Sequence, residues 1–312
     1  MADDPFPGFL GRVEAGVPLA PRTTWRIGGP ARWLVAPADA AELTRLLQRL
    51  PPETPRMALG GGSNLLVDDA GFDGAVIDLT PGFAHAARLE EVGDGVTIVA
   101  GAGLELRALA HWARRQGLSG LEFAAGIPGT VGGALRMNAG AYGGDIASRL
   151  EPTAAAEALD GAGSLHRLTL AELGLGYRSG ATPTDWIFTQ ARFRLTPDDP
   201  EAIRRRMSEF NRRRVASQPL AWPSAGSVFR NPPGGPMAWE LIAAAGLRGA
   251  SLGGARISEK HGNFFINQGG ASARDMRQLI ALARRRVEET SGARLTLEVK
   301  ILSPRGLAPE WE

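Results

Sequence analysis

Two glycine-rich segments have compositions suited to contact between backbone amides and an anion. The first, AAGIPGTVGGA, occupies residues 124–134, and the second, GGGSNLL, occupies residues 60–66 directly after the apolar MAL. Glycine permits positive φ and lets a ligand approach the backbone closely, so such a loop can direct several N–H groups at a phosphate. Ser63 and Asn64 add a hydroxyl and an amide, and a pyrophosphate would fit beside them. A set of tight turns is the alternative interpretation.

The common nucleotide-binding motifs are absent from the sequence. A P-loop requires Gly-Lys-Ser/Thr, but neither lysine of the chain, Lys260 or Lys300, follows a glycine. The dinucleotide fingerprint GxGxxG also fails, because GGGSNLL and GAGLEL both lack the final glycine at the required spacing. The chain therefore has no standard Rossmann module.

Composition excludes several other kinds of chemistry. The chain has no cysteine, which excludes disulfides, thiolate metal sites, iron–sulfur ligation and a cysteine nucleophile. Its four histidines are scattered, without a pair at metal-ligand spacing, so we expect no metal site. The sequence shows no apolar run of about 18 residues, and its acidic start, broken by Pro and Gly, is unlike a secretory signal. We expect a cytoplasmic protein that does not insert into a membrane, with a monomer favoured.

Nearly all basic residues are arginines, and nine of them form three triplets: Arg204–Arg206, Arg212–Arg214 and Arg284–Arg286. Each triplet lies in a helical pattern, so solvated helix faces are the main interpretation and phosphate contacts the alternative. No aromatic residues are interleaved with the triplets, which disfavours nucleic-acid binding.

The elements that must position the glycine segments belong to two kinds of sequence. With 312 residues the chain is long enough for two domains with cores of their own. From Trp25 to about Leu195, short apolar runs such as GAVIDL and GVTIVAGAG alternate with glycine turns and helices, which predicts a mixed α and β region. The helices there are AELTRLLQRL and LELRALAHWARRQG, each with an apolar stripe, and the second ends at Gly117.

A long helix is predicted after Pro200, because Ile203, Met207 and Phe210 share one face, and we expect it to link two domains. A second helix should begin at a capping box of Ser272 and Asp275 and end at Gly292. Its buried stripe is predicted to contain Met276, Leu279, Ile280, Ala283 and Val287.

The end of the chain is predicted to hold one more strand and then no ordered structure. Alternation from Arg294 to Leu302 predicts a strand whose apolar face consists of Leu295, Leu297, Val299 and Ile301. Thr296, Glu298 and Lys300 would then lie on the opposite face. The segment 303–312 contains two prolines and is predicted to be a disordered tail.

A series of longer motifs resembles one enzyme family. TTWRIGGPA, LGGGSNLLV, AGIPGTVGGALRMNAGAYGGD, GYRSG, QPLAWPSAGSVFRNP, LRG, ISEKHGNFFIN and LEVKIL occur in the order found in the UDP-N-acetylenolpyruvoylglucosamine reductases, the MurB flavoenzymes of peptidoglycan synthesis. The resemblance extends from about Thr23 to Leu302. No long insert resembling the tyrosine-bearing flap of larger members lies between Ala134 and Leu175, so the chain is similar to the shorter subclass.

The resemblance implies an α+β protein with a non-Rossmann FAD-binding fold of the PCMH/vanillyl-alcohol-oxidase type. This FAD-binding region would cover residues 1–200 in two subdomains divided near residue 55, before a substrate-binding α+β domain over 201–302 and a tail over 303–312. It implies noncovalent FAD, NADPH as co-substrate, and reduction of UDP-N-acetylglucosamine enolpyruvate to UDP-N-acetylmuramate. The implied cofactor-binding residues are Gly60, Gly61, Gly62, Ser63, Asn64, Leu65, Gly126, Ile127, Pro128, Gly129, Thr130, Gly132, Gly133, Ala134, Asn138, Gly140 and Ala141.

The implied reaction places three demands on side chains. Hydride reaches the methylene carbon of an enolpyruvyl ether, carbanion character develops beside the carboxylate, and a proton must then be supplied. The resemblance implies that Arg178 provides the cation, Glu298 a polar partner and Ser227 the proton. For Ser227, a hydrolase nucleophile is disfavoured because GxSxG is absent and no His is near in sequence, while a turn serine remains the alternative.

Two departures from the family pattern lie close to these positions. Gly180 replaces the serine usually found two residues after the arginine, and Thr296 replaces the first glutamate of the usual Leu-Glu-x-Glu run. The resemblance further implies that Asn231, Arg248 and, more weakly, Arg214 contact the UDP portion. A flavin oxidase of the same broad fold and a non-catalytic flavin or UDP-sugar-binding regulator are the alternative functions.

Overall fold

The computed structural model describes residues 6, 9–51 and 53–308, and the chain divides into two compact units. Unit 1 contains Leu34–Gly61, Ala75–Arg213 and the described residues up to Glu14. Unit 2 contains Ala15–Trp33, Gly62–Gly74 and the described residues from Arg214 onward. Unit 2 is therefore assembled from three separate stretches of the chain.

The helices are α1 (Ala40–Arg49), α2 (Leu106–Arg115), α3 (Val131–Met137), α4 (Leu170–Leu173), α5 (Pro200–Ser217), α6 (Ala238–Ala244) and α7 (Ala273–Ser291). The strands are β1 (Arg12–Pro18), β2 (Pro30–Ala36), β3 (Arg56–Leu59), β4 (Leu65–Val67), β5 (Phe72–Asp78), β6 (Ala86–Val92), β7 (Gly95–Gly101), β8 (Leu118–Ser119), β9 (Gly140–Ala141), β10 (Gly144–Asp145), β11 (Ala156–Leu159), β12 (Leu165–Leu168), β13 (Ile187–Pro197), β14 (Ser224–Ser227), β15 (Ser251–Leu252), β16 (Ala255–Ile257), β17 (Phe264–Asn267), β18 (Lys300–Ser303) and β19 (Gly306–Leu307).

Unit 1 is organised around an antiparallel sheet. Its strands run in the order β12-β11-β13-β7-β6, and β8 also pairs with β13. β7 lies between β13 and β6 and is buried along its whole length. The apolar stripes predicted for α1 and α2 are confirmed, since Leu43, Leu46, Leu106 and Leu109 are all buried.

The long helix predicted after Pro200 is confirmed as α5, with Ile203 and Met207 buried and Phe210 half-buried. The boundary between the two units, at Arg213 and Arg214, falls within this helix. Most of the three arginine triplets lie on exposed helix faces, where they pair with neighbouring glutamates.

Arg206 is the exception among these arginines because its guanidinium reaches a buried carboxylate. It donates to Glu122 at 2.7 Å and to Asp198 at 2.5 Å. Glu122 is only 8% exposed and begins the 3₁₀ turn that ends at Gly126. The ion pair thus anchors the start of the first glycine segment to α5.

Unit 2 contains two small sheets and the longest helix. One sheet has the order β14-β17-β16-β15, and in the other β18 lies between β19 and β4. α7 begins at the predicted capping box of Ser272 and Asp275 and ends at Gly292, whose φ is +72°. The predicted stripe is confirmed, because its five residues are all buried. The same core includes Trp25, whose indole N–H donates to the Phe265 carbonyl at 2.7 Å.

The predictions for the end of the chain were partly wrong. Leu295, Leu297 and Val299 are buried as predicted, but the regular strand covers only Lys300–Ser303. The segment before it meets its neighbour through an isolated bridge between Phe229 and Leu297 rather than a continuous ladder. Residues 303–308 are also ordered. A turn at Pro304 and Arg305 folds the chain back so that β19 pairs with β18, and the Ala308 N–H donates to the Ile301 carbonyl at 2.8 Å. The remainder of the predicted tail, 309–312, lies outside the described residues.

Within the described ranges, no helix is both long and apolar enough to cross a membrane. The same residues contain no group of three or more His, Cys, Asp or Glu placed to hold a metal ion.

Candidate functional site

The two glycine segments meet within unit 1. A Cβ added to Gly61 would lie 2.8 Å from the Cα of Gly129, and one added to Gly60 would lie 2.5 Å from Thr130 Oγ1. Gly129 has a φ of +114°, a conformation that side chains beyond glycine rarely adopt. The segments therefore pack backbone against backbone, and this close approach requires glycine.

The first amides of α3 are already used within the protein. The N–H groups of Val131 and Gly132 donate to the carbonyls of Leu104 and Ala102, each at 2.9 Å. Thr130 is the N-cap and accepts weakly, at 3.5 Å, from the Gly133 N–H. Amides at Val131 and Gly132 are therefore committed to the fold, and a ligand would meet the loop through other atoms.

The remainder of the second glycine segment belongs to unit 2. Gly62 has a φ of +57°, and a Cβ there would overlap the carbonyl oxygen of Arg22. Asn64 follows, and its side-chain Nδ2 donates to the Glu298 carbonyl at 3.0 Å. Lys300 N–H donates to the Asn64 carbonyl at 2.9 Å, and Leu65 then pairs with Lys300 in a parallel ladder. The segment predicted to bind a cofactor thus also fixes the backbone of a predicted catalytic residue.

Asn138 ends α3 in the left-handed conformation, with a φ of +41°, and its buried side chain organises two loops. Nδ2 donates to the Gly176 carbonyl at 3.1 Å, while Oδ1 accepts from the Ala147 N–H at 2.9 Å. Two residues further along, Gly140 pairs with Asp145 in the hairpin of β9 and β10. The polar atoms of Asn138 therefore have partners within the protein.

Arg178 occupies a strained turn in unit 1. Gly176 and Ser179 exchange backbone hydrogen bonds at 3.1 and 3.3 Å, and Arg178 lies between them with a φ of +55°. This third position of a tight turn normally favours glycine or asparagine, and strain of this kind concentrates at functional sites. The guanidinium donates to the Gly140 carbonyl at 2.9 Å, which fixes its position against the β9–β10 hairpin. The departure at Gly180 leaves the turn closed, since Ser179 makes both closing bonds.

Ser227 ends β14, where it lies opposite Phe264 of β17. A bulge before it contains Gly226, whose φ is +75°. Ser227 is half-buried, whereas Val228 and Phe229 after it are fully buried. Among the residues that the structure describes, the Ser227 hydroxyl has no hydrogen-bond partner, so the protein positions this side chain through the backbone pairing of Ser227 with Phe264.

Glu298 lies on the chain segment next to Ser227. Its N–H donates to the Val228 carbonyl at 2.8 Å, and it is half-buried between the buried Leu297 and Val299. The departure at Thr296 preserves the pairing, because the Thr296 carbonyl accepts from the Arg230 N–H at 2.9 Å. Ser227 and Glu298, which are 71 positions apart in sequence, are therefore brought together within unit 2.

The three predicted substrate contacts also lie in unit 2. Asn231 Oδ1 accepts from the Ala238 N–H at 3.1 Å, which caps α6. The exposed Arg248 lies over the Trp239 ring, 5.7 Å from its centroid. Arg214 Nε donates to Gln218 at 3.1 Å.

Sequence reasoning missed one titratable residue near Arg248. His261 lies 6.1 Å from Trp239 and 4.7 Å from Phe264, measured between ring centroids. Burial, together with the nearby charge of Arg248, lowers the pKa of His261 below its ordinary value of 6.5. Nδ1 accepts from the Asn263 N–H at 3.3 Å, which leaves the proton of the neutral ring on Nε2. The motif ISEKHGNFFIN contained the signal, but spacing alone did not connect it with Arg248.

Two family models match this chain. An FAD binding domain model matches residues 31–169, and a model of the C-terminal domain of UDP-N-acetylenolpyruvoylglucosamine reductase matches residues 218–302. Together the two matches define the class: a mixed α+β flavoprotein with a separate C-terminal domain, which confirms the predicted fold class and FAD cofactor.

Similar proteins narrow this class to one family. The chain is 53% identical to the UDP-N-acetylenolpyruvoylglucosamine reductase of Magnetococcus marinus, over 94% of this chain and 93% of the relative. It is 47% identical to that of Azorhizobium caulinodans, over 95% and 93%. The crystal structure of the Thermus caldophilus enzyme superposes with a TM-score of 0.78 at 40% identity, covering 93% of this chain and 99% of that one. The chain belongs to the UDP-N-acetylenolpyruvoylglucosamine reductase family.

Proposed function

We propose that this protein reduces UDP-N-acetylglucosamine enolpyruvate to UDP-N-acetylmuramate with NADPH, using noncovalently bound FAD. The observation that carries the proposal is the pairing of Val228 with Glu298, because it places a hydroxyl and a carboxylate on adjacent segments of unit 2. A non-catalytic binding protein would have no requirement for this pair or for the strained arginine in unit 1. We further propose that the protein acts in the cytoplasm as a monomer.

FAD fits the glycine loops of this chain. We infer that backbone atoms of Gly60, Gly61 and the Gly126–Thr130 loop hold its pyrophosphate, since the two glycine segments pack closely against each other and glycine-rich backbone can direct N–H groups at a bulky anion. Exposed Gly133 would border the same cofactor, and Gly132, Ala134, Asn138, Gly140 and Ala141 would shape the surface around it. FAD supplies the transfer of hydride from NADPH to the enolpyruvyl group.

Side chains of the protein would bind the substrate carboxylate and supply the proton. Arg178 would bind the substrate carboxylate, since its planar guanidinium matches a carboxylate and its orientation is already fixed by Gly140. Ser227 would donate its hydroxyl proton to the carbon that carries carbanion character, which is basic enough to take a proton from so weak an acid. Glu298 would orient this exchange from the adjacent segment. Arg248, Asn231 and Arg214 would contact the UDP portion.

Anaerobic spectroscopy of the purified protein tests the whole proposal. The protein should be yellow, lose its visible flavin absorbance on addition of NADPH, and regain it with UDP-N-acetylglucosamine enolpyruvate, because the flavin accepts hydride in one half-reaction and gives it up in the other. Reoxidation by oxygen alone, without response to the enolpyruvyl substrate, would instead favour a flavin oxidase. Absence of bleaching by NADPH would favour a binding protein without catalysis.

The role of Ser227 is tested by separating the half-reactions. Ser227→Ala should bleach with NADPH at the parent rate, because that step needs no proton from Ser227. Reoxidation by the enolpyruvyl substrate should fall by roughly 100- to 10,000-fold, the usual contribution of a positioned general acid. A slower bleaching step with normal reoxidation would show that Ser227 positions NADPH instead.

A further inference from the structure

A buried side-chain amide holds the segment that carries Ser227. Asn263 lies directly before β17 and is 3% exposed. Its Oδ1 accepts from the Phe229 N–H at 3.0 Å, and its Nδ2 donates to the Phe229 carbonyl at 2.7 Å. The amide therefore makes both of the hydrogen bonds that an adjacent strand would otherwise make to Phe229. We propose that Asn263 is a positioning residue for proton delivery by Ser227.

The backbone around Asn263 extends this clamp in both directions. Ser227 lies opposite Phe264, and the Val228 N–H donates to the Asn263 carbonyl at 2.9 Å. On the other edge, the Val228 carbonyl accepts from the Glu298 N–H. Three successive residues, 227–229, are thus held against 263–264, and the middle one also fixes Glu298. Movement of Phe229 would be transmitted to both functional side chains.

Such a clamp matters because the Ser227 hydroxyl has no protein partner among the described residues. The backbone determines where the Cβ of Ser227 lies, and the oxygen can then occupy only the staggered positions around it. Proton transfer requires the two heavy atoms to approach to about 2.6–3.2 Å, and a displacement of about 1 Å can cost roughly 100-fold in rate. Asn263 itself touches neither substrate nor cofactor in this scheme, which rests on the proposed role of Ser227.

The same strand offers a matched control. Asn267, at the other end of β17, is also buried, at 7% exposed, and both polar atoms of its amide form hydrogen bonds. Nδ2 donates to the Trp25 carbonyl at 3.0 Å, and Oδ1 accepts from Gly269 and Ala271 at 2.9 and 3.2 Å. Asn267→Ala thus removes a comparable set of buried hydrogen bonds from the same strand without touching the Ser227 segment.

The test compares Asn263→Ala and Asn267→Ala as FAD-loaded proteins in anaerobic single turnovers. In Asn263→Ala, reoxidation by the enolpyruvyl substrate should slow by roughly 10- to 100-fold, while reduction by NADPH and the KM for the substrate stay within about twofold. Asn267→Ala should keep both half-reactions near the parent rates. Equal slowing in the two variants, or slowing of both half-reactions in Asn263→Ala, would show general loss of packing and overturn the proposal.

A second variant adds a pH-dependent readout. Asn263→Asp keeps the acceptor for the Phe229 N–H but, when ionised, loses the donor to the Phe229 carbonyl. Burial raises the pKa of a carboxyl, and the protonated form can donate again. The reoxidation deficit relative to the parent should therefore narrow as the pH falls from about 8 to 6, whereas the deficit of Asn263→Ala should not change. An unchanging deficit in Asn263→Asp would contradict the role assigned to the amide.

These outcomes separate this inference from the proposed function. If Ser227→Ala leaves reoxidation unchanged, the role of Ser227 itself is wrong. If Ser227→Ala is slow and Asn263→Ala is normal, only the positioning role fails. If neither variant at Asn263 retains flavin while Asn267→Ala does, Asn263 serves folding and the proposal is overturned.

Discussion

Replacement of Gly133 by alanine should stabilise the flavin-free protein and weaken its affinity for FAD. Gly133 is the third residue of α3, is exposed, and does not have positive φ. A Cβ there would meet only Thr130 Oγ1, at an ordinary 3.7 Å. The fold therefore has no need for glycine at this position, although alanine is about 0.8–1.0 kcal/mol more favourable within a helix.

Those numbers set the expected magnitude. Gly133→Ala should raise the unfolding free energy of the flavin-free protein by roughly 0.5–1 kcal/mol, which corresponds to an increase in Tm of about 1–4 °C. If FAD lies against the backbone here, an extra methyl group should cost about 1–3 kcal/mol of contact, or roughly 5- to 150-fold in Kd. The two effects have opposite signs.

Thermal unfolding of the flavin-free protein and titration with FAD, followed by flavin fluorescence, measure the two quantities. Gly61→Ala is the matched control, because its Cβ would lie 2.8 Å from the Cα of Gly129 and should therefore lower both stability and affinity. Higher stability with unchanged FAD affinity in Gly133→Ala would refute the reasoning and identify the segment as an ordinary set of turns.

Two further predictions concern charged residues of unit 1. Burial favours a raised pKa for Glu122, but hydrogen bonds from Arg206, the Gly120 N–H and Ser119 outweigh it and hold the pKa below its ordinary value of 4.5. Arg206→Gln should therefore lower the unfolding free energy by roughly 1–3 kcal/mol at pH 7. This difference should begin to shrink as the pH falls below about 4.5, the ordinary value, and disappear as the pH passes the lowered pKa of the folded state, where the carboxylate is protonated. Denaturant unfolding at several pH values measures the difference, and a difference that grows on acidification would contradict the prediction. Arg178→Gly and Arg178→Ala should both reduce turnover by at least about 100-fold. The unfolding free energy of Arg178→Gly should nevertheless exceed that of Arg178→Ala by about 1 kcal/mol, because the φ of +55° suits glycine. Substantial turnover in either variant, measured as NADPH consumption with substrate, would exclude Arg178 as the carboxylate-binding cation.

The elements that the sequence predicted well are those whose signals are local. The caps and apolar stripe of α7 are set by residues within one or two helical turns, so Ser272, Asp275 and Gly292 were sufficient to define it. The same holds for α2 and for Pro200 at the start of α5. The strand predicted over Arg294–Leu302 was too long because alternation reports burial, whereas a regular ladder also depends on a partner distant in the sequence.

For the candidate site, the sequence supplied candidate residues but not the connections between them. Motifs identified Ser227 and Glu298, yet their adjacency depends on a hydrogen bond between Glu298 and Val228 that joins distant parts of the chain. The contributions of His261 and Asn263 were missed because they depend on contacts with residues distant in the sequence, such as Trp239 for His261 and Phe229 for Asn263. The strained φ of Arg178 was equally invisible, since arginine carries no propensity for that conformation.

The composition of unit 2 limits how this protein can be divided or recombined. The match to the reductase C-terminal domain begins at residue 218, yet the core of unit 2 also contains Trp25, Ile27 and Leu66 from far upstream. A polypeptide beginning at residue 214 would lack these side chains and leave the Phe265 carbonyl without its indole donor. In a chimera that takes residues 218–302 from a relative, the core side chains of α7 and the sheets would come from one protein and Trp25 from the other. The two sets of side chains would then have to pack together although they come from different proteins. Residues 218–302 are continuous in sequence, but the unit to which they belong is not. An exchange that keeps this core intact must therefore also include Ala15–Trp33 and Gly62–Gly74.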